Sequence, residues 1–247
     1  MKILAAIAAV ACMGASAQAE WNVIYEDDFA GEAGPALKTE PLIKPAGFQH
    51  NVDWVSDDEL LLDGDGRMYT DSELNTTARY NVDLGSIITD DPDITTIRWE
   101  ATIRTPSISN WFGIGFSKEG ENSFTSAVSD VGPWVQFRRD GSGTIRGGGG
   151  TDNASEITSF NYSGGDLVEV EFLFNIEDQT VSLWIDGNAI EFDDGAGGTT
   201  TEFPIVHTIN GTAREPEIRW AQIQWTNQDD IDGGGAYISH SRISVSD

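Results

Sequence analysis

Two carboxylates and a tryptophan in the stretch LVEVEFLFNIEDQTVSLWIDGNAIEF, residues 167 to 192, are the first candidates for chemistry. Glu169 and Glu171 lie two apart, on one face of a regular strand, with about 7 Å between their α-carbons. Retaining glycosidases set an acid and a nucleophile at about 5 to 5.5 Å, a separation this spacing permits. Trp184 belongs to a predicted hairpin. Asp186-Gly187 is a preferred pair for a two-residue type I′ turn, which sets Leu183 opposite Ile190 and Val181 opposite Phe192. Those four apolar side chains take one face. Trp184 points to the other, either toward a ligand or beneath residues 31 to 75.

Two further segments carry polar and aromatic residues in alternation. In WVQFRRDGSGTIRG the set is Trp134, Gln136 and Arg138; in EIRWAQIQW it is Trp220, Gln222 and Gln224. Tryptophan stacks on the apolar faces of pyranose rings, while Gln, Arg and Glu hydrogen-bond hydroxyls, so this mixture suits a glycan groove. Alternation does not say which face is inner, and Trp134 and Trp220 fit the core of a second sheet equally well. Other chemistry is sparse. His50, His207 and His240 form no metal-ligand pair, and no Ser-His-Asp or phosphate-loop pattern occurs, so no organic cofactor is expected. DGDGRMYTD offers Asp63, Asp65 and Asp71 but lacks the further ligands and terminal Glu of an EF-hand loop.

These residues sit in a chain of 247 residues whose first 19, MKILAAIAAVACMGASAQA, read as a secretory signal peptide ending in Ala-Gln-Ala. Its single cysteine, Cys12, falls in that segment. Cleavage before Glu20 leaves about 228 residues (247 − 19), the length of one large all-β domain spanning 20–247. The formal charge of −27 becomes −28 once Lys2 is removed, with 13 basic residues against 41 acidic ones. Such a surface repels nucleic acid and anionic membranes. No second apolar stretch is long enough to cross a membrane as a helix, so the expectation is a released protein, extracellular or periplasmic.

The elements that position the candidates are short alternating strands. TTIRWEATIR sets Ile97, Trp99, Ala101 and Ile103 against Arg98, Glu100, Thr102 and Arg104. WFGIGFS places Phe112, Ile114 and Phe116 on one side, and LVEVEFLF does the same with Val168, Val170, Phe172 and Phe174. WVQFRRDGSGTIRG reads as a hairpin turning near Asp140-Gly141. With 27 glycines and no sustained helical period, the fold class is all-β: a two-sheet antiparallel jelly-roll sandwich with little helix.

The order of YEDDF, WFGIGFS, GPWVQFRRDGSGTI, VEVEFLFNIEDQTVSLWIDGNAI and YISHSRISVSD resembles the concanavalin A-like (laminin G-like) jelly rolls. That resemblance implies a ligand groove on one outer face and a structural Ca²⁺ where the first strand meets the last, at Glu26, Asp28 and Asp247. It covers lectins and enzymes alike. Laminarinase-type glucanases carry Glu-x-Asp-x-(x)-Glu, whereas this chain reads Glu169-Val170-Glu171-Phe172-Leu173-Phe174 and lacks the third acid. Jelly-roll alginate lyases carry Arg-x-Glu-x-Arg, Gln-Ile-His and a tyrosine strand. Here Arg98-Trp99-Glu100 is followed by Thr102, Gln222-Ile223-Gln224 lacks the histidine, and the tyrosine strand is absent. The expectation is therefore a secreted, non-catalytic glycan-binding domain. The alternatives are a polysaccharide-degrading enzyme of jelly-roll type and an extracellular adhesion or matrix protein. The expected ligand contacts are Trp184, Trp134, Arg138, Glu169, Glu171, Trp220, Gln222 and Gln224.

Overall fold

The computed structural model describes residues 20–35, 41–44, 50–53, 60–70, 77–84, 93–106, 111–117, 131–146, 157–194, 196–205, 207–209, 212–214, 218–226 and 235–247. The signal segment and Asp71 lie outside them. Among the described residues there is no helix. The longer strands are β1 (Asn22–Asp27), β2 (Thr77–Asp83), β3 (Thr96–Arg104), β4 (Trp111–Ser117), β5 (Val131–Arg138), β6 (Ser142–Arg146), β7 (Ile157–Asn161), β8 (Leu167–Asn175), β9 (Thr180–Ile185), β10 (Trp220–Thr226) and β11 (Tyr237–Ser246).

They form two antiparallel sheets packed as a sandwich. In the first, β9, β8, β3 and β11 lie side by side, and the far edge is completed by β1 and the short strands Met68–Thr70, Leu60–Leu62 and Gly34–Pro35. In the second, the order is β7, β6, β5, β4, β10, β2 and His50–Asp53. Strands distant in sequence are neighbours in both sheets, as a jelly roll requires.

Alternation explains the core. Ile97, Trp99, Ala101 and Ile103 of β3 are buried between the sheets with Val168, Val170, Phe172 and Phe174 of β8. Phe112, Ile114 and Phe116 of β4 meet them from the other sheet, as do Ala221, Ile223 and Trp225 of β10. Aromatic contacts join the layers: Trp99 lies 5.5 Å from Phe116, and Phe116 stacks on Phe172 at 6.1 Å. Both core indoles satisfy their N–H, Trp99 donating to Ser241 Oγ at 2.9 Å and Trp225 to the Ala236 carbonyl at 3.1 Å. A buried donor left without a partner would cost about 1–3 kcal/mol.

The motif YEDDF is a lock on the entry of the chain. The fully buried Asp27 accepts Tyr25 Oη–H at 3.2 Å and the Phe29 amide at 2.7 Å. That second bond holds Phe29 at φ 52°, where its ring meets Tyr80 of the second sheet edge-on at 6.4 Å. Burial, followed for both phenols by charge from neighbouring groups, pushes Tyr25 and Tyr80 well above the ordinary tyrosine range, so they remain neutral donors.

The hairpin turns at Asp186-Gly187 as expected, with φ of 51° and 72°, and Ile190 donates to the Leu183 carbonyl at 2.8 Å. Its second expected pairing is corrected. Val181 lies opposite Phe203, because the returning strand ends at Ala189 and Phe203–Pro204 takes over the edge of β9. Phe192 is still buried, packed on Phe203 at 5.7 Å.

The cation site at Glu26, Asp28 and Asp247 does not assemble. Glu26 is opposite Arg242 in β11, which puts Asp247 five residues further on, about 16 Å away at strand rise. One Ca²⁺ binds its oxygens at about 2.3–2.6 Å and cannot span that gap. Asp28 caps the Ala30 amide at 3.1 Å. Asp63 likewise holds a turn, accepting the Asp65 and Arg67 amides at 2.7 and 3.1 Å and pairing with the Arg67 guanidinium. No group of three His, Cys, Asp or Glu suited to a metal occurs among the described residues.

Gly115 of β4 stands opposite Trp134 of β5, and a Cβ there would come within 2.2 Å of the Trp134 Cβ. The obstacle is backbone and Cβ, so it cannot swing away. Gly115→Ala is expected to lower stability by about 1–3 kcal/mol, the range for overpacked sites, measured by denaturant melting. Wild-type stability in this variant would mean that Trp134 is not seated over Gly115.

Candidate functional site

The expected ligand residues divide between the two outer faces of the sandwich. Trp184, Glu169 and Glu171 stand on the first sheet, and Trp134, Arg138, Trp220, Gln222 and Gln224 on the second. One groove cannot contain both sets.

On the second sheet, Trp134, Gln222 and Gln224 are fully buried, which corrects their assignment as direct ligand contacts. The side-chain-free Gly115 lets the backbone at Trp134 come close, the Trp134 indole lies 5.6 Å from that of Trp111 at a tilt of 42°, and Gln222 Nε2 donates to Asn81 Oδ1 at 2.7 Å. Trp220 is half-buried beside Arg219, whose guanidinium pairs with Asp83 at 2.9 Å. The comparison with lyases also fails here. Arg98 and Glu100 face outward from the first sheet, and Gln222 and Gln224 outward from the second, on opposite sides of the core.

On the first sheet the geometry converges. Trp184 of β9 is opposite Glu171 of β8, Glu171 is opposite Glu100 of β3, and Glu100 is opposite Arg242 of β11. The adjacent row runs from Glu169 to Thr102 to His240. Except for Arg242, these residues line a groove of about 280 Å³ with Trp184 and Gly187 at one end and His240 at the other. That is near the lower end of ligand pockets, roughly 300–1,000 Å³. Trp184 is half-buried, so the indole is a wall of the groove and is neither free in solvent nor sealed off.

Glu100, Thr102 and His240 were missed by sequence reasoning. The alternation of TTIRWEATIR already placed Glu100 and Thr102 on one face, but strand order was not readable. His240 depends on a bulge. Ile238 pairs with Ile103 and His240 with Thr102, so Ser239 is an extra residue that turns His240 outward. Its Nε2 lies 3.4 Å from Glu26 Oε1.

Two arginines order the carboxylates. Arg98 lies 3.4 Å from Glu100 and 4.0 Å from Glu171, with its guanidinium over the Trp21 ring at 4.2 Å. Arg242 approaches Glu100 at 3.9 Å. Burial pushes the Glu171 carboxyl above the ordinary range; Arg98 opposes that shift and Glu100 adds to it. Glu169 is exposed and its amide donates to Asp186 Oδ1 at 2.9 Å, which ties the hairpin turn to β8.

No family model matches the chain, and no curated protein matches it. Among solved structures, a protein described as a receptor binding domain is 11% identical with a TM-score of 0.50, covering 90% of this chain and 47% of its own. A Trypanosoma rangeli sialidase is 11% identical with a TM-score of 0.49, covering 90% of this chain and 30% of its own. A Caenorhabditis elegans galectin is 11% identical with a TM-score of 0.41, covering 72% of this chain and 95% of its own. The chain thus spans less than half the length of the first two. At such identities the likeness extends to the β-sandwich fold alone.

A carboxyl whose pKa is raised on folding stabilises the protein while protonated, and that contribution is lost as pH rises through its folded value. Glu171→Gln should therefore gain in melting temperature relative to wild type as pH goes from below the ordinary carboxylate range to neutrality. An opposite trend would make attraction to Arg98 the stronger influence.

Proposed function

We propose that this is a secreted, concanavalin A-like carbohydrate-binding protein that seats a sugar ring of an extracellular glycan in the groove of the first sheet, without turning it over. The observation that carries the reading is the half-buried Trp184 walling a small polar groove built on regular strands. An indole face offers an apolar platform for a pyranose, and Glu169, Thr102 and His240 in the same groove offer acceptors and donors for its hydroxyls. Strand-borne side chains need little ordering on binding, which favours affinity from so small a site. The reading without turnover is supported by the ion pairs: Arg98 and Arg242 engage Glu100, and Arg98 also faces Glu171.

A second reading has one observation in its favour. Glu171 and Glu100 are directly opposite, and Glu171 is held toward its neutral form, as the acid of a retaining glycosidase is. Release of reducing ends from a bound glycan, lost in Glu171→Gln, would establish it over binding alone.

A glycan-array screen of the mature protein identifies the ligand, and titration of the best hit tests the site. Trp184→Ala is expected to weaken binding by about 1 to 3 kcal/mol, roughly tenfold to a hundredfold or somewhat more. Because the indole is partly covered, stability should fall by only about 1 to 2 kcal/mol. A loss of about 3 to 5 kcal/mol in stability with unchanged binding would make Trp184 a packing residue and overturn the assignment.

A further inference from the structure

Arg138 and Arg146 lie on the same outer face of the second sheet, the side opposite the groove. Trp134 pairs with Arg146 across β5 and β6, and Gln136 pairs with Thr144 one step along. The Arg146 guanidinium lies over the Trp134 ring at 5.5 Å from its centroid, and its Nε has no hydrogen-bond partner. Arg138 donates through Nε and Nη2 to Gln136 Oε1 at 3.2 and 3.1 Å, and Thr144 Oγ1 donates to the same oxygen at 2.9 Å. Gln136 is 3% exposed, so Arg138 is held by a buried amide.

Neither guanidinium forms an ion pair among the described residues, in a protein with 41 acidic residues and 14 basic ones. Asp140 feels the charge of Arg138, but its carboxylate is engaged by the Ser142 amide and hydroxyl at 3.0 and 2.6 Å. Burial first, and the neighbouring Arg138 charge second, push the Arg146 pKa down. The two like charges act on each other from positions four residues apart along the sheet while acids abound elsewhere, an arrangement that an incoming polyanion relieves. Both residues are half-buried, and the Arg146 Nε is itself buried.

The geometry points to a second ligand site, in which Arg138 and Arg146 bind the sulfate or carboxylate groups of an acidic polysaccharide on the outer face of the second sheet. Guanidinium matches both oxyanions through paired N–H donors, and the contacts of Arg138 with Gln136 and of Arg146 with Trp134 lower the ordering needed. The overall negative charge opposes approach at long range. At 0.15 M salt it is screened beyond about 8 Å, so the local pair decides the contact.

Three polymers with one backbone separate the sources of charge: dextran, carboxymethyl dextran and dextran sulfate, each titrated against the mature protein in 0.15 M NaCl. Binding of a charged polymer without binding of dextran is expected. Carboxymethyl dextran alone would identify carboxylate as the anion, and dextran sulfate alone sulfate. Arg138→Gln and Arg146→Gln should each weaken that binding about tenfold or more, while the control Arg67→Gln and Trp184→Ala leave it unchanged. Melting curves of each variant establish that it is folded, and Arg146→Lys, which keeps the charge and loses the planar fork, should fall between wild type and Arg146→Gln. The proposal is overturned if neither charged polymer binds, if dextran binds equally, or if Arg67→Gln weakens binding as much as the two named variants. Because Trp184 is on the other face, failure here leaves the groove assignment standing, and failure of the groove leaves this site standing.

Discussion

The register of the strand Thr96–Arg104 is the constraint on which the rest depends. It lies between Leu167–Asn175 and Tyr237–Ser246 and is paired along its full length with both. A slip of one residue would turn Trp99 to water and Glu100 into the core. Such a slip would also break the Trp99–Ser241 hydrogen bond and remove the indole from Phe116. The penalty on both faces at once is what makes the register unique. The groove is a by-product of that pairing, since Glu171, Glu100 and Arg242 come into one row only when three strands are aligned.

How much of this was legible in the sequence follows from what alternation encodes. A period of two assigns every side chain to one of two faces, and for Trp99, Phe112, Phe172, Val135 and Ile223 the apolar face is the inner one. Alternation says nothing of which strands are neighbours. Trp184 and Trp220 therefore looked like members of one groove although they lie on opposite sides of the core. Burial on an outer face was equally hidden. Trp134 obeys the alternation and points away from the core, yet it is sealed, with Trp111 and the Arg146 guanidinium packed against its ring.

Irregularities account for most of the remaining surprises. His240 had no visible role because an unbroken alternation after Ile238 would have placed it inward; the extra residue Ser239 reverses this. The hairpin after Asp186-Gly187 was readable up to Ile190, and then Phe203 replaced Phe192 beside Val181. One aromatic residue took the place of another at the same apolar position, so the pattern of burial survived while the pairing did not. Acidic clusters were the least informative feature. Asp27, Asp28, Asp63 and Asp140 all use their carboxylates to accept nearby backbone amides. Turn-forming work of that kind looks the same in a sequence as a metal site.

The distribution of cations distinguishes the two outer faces more sharply than their aromatic content does. On the first sheet, Arg98 and Arg242 are matched by Glu100 and Glu171, so the groove presents little free positive charge beside its indole. On the second, Arg138 and Arg146 are fixed by a neutral amide and an indole. Neutral partners orient a guanidinium without cancelling it, and this is how a strand can keep an arginine available while still satisfying part of its hydrogen bonding. A carboxylate in place of Gln136 would anchor Arg138 equally well and remove its capacity to attract an anion. In a chain with nearly three acidic residues for each basic one, the neutral choice at that position is the feature on which the proposed anion site rests.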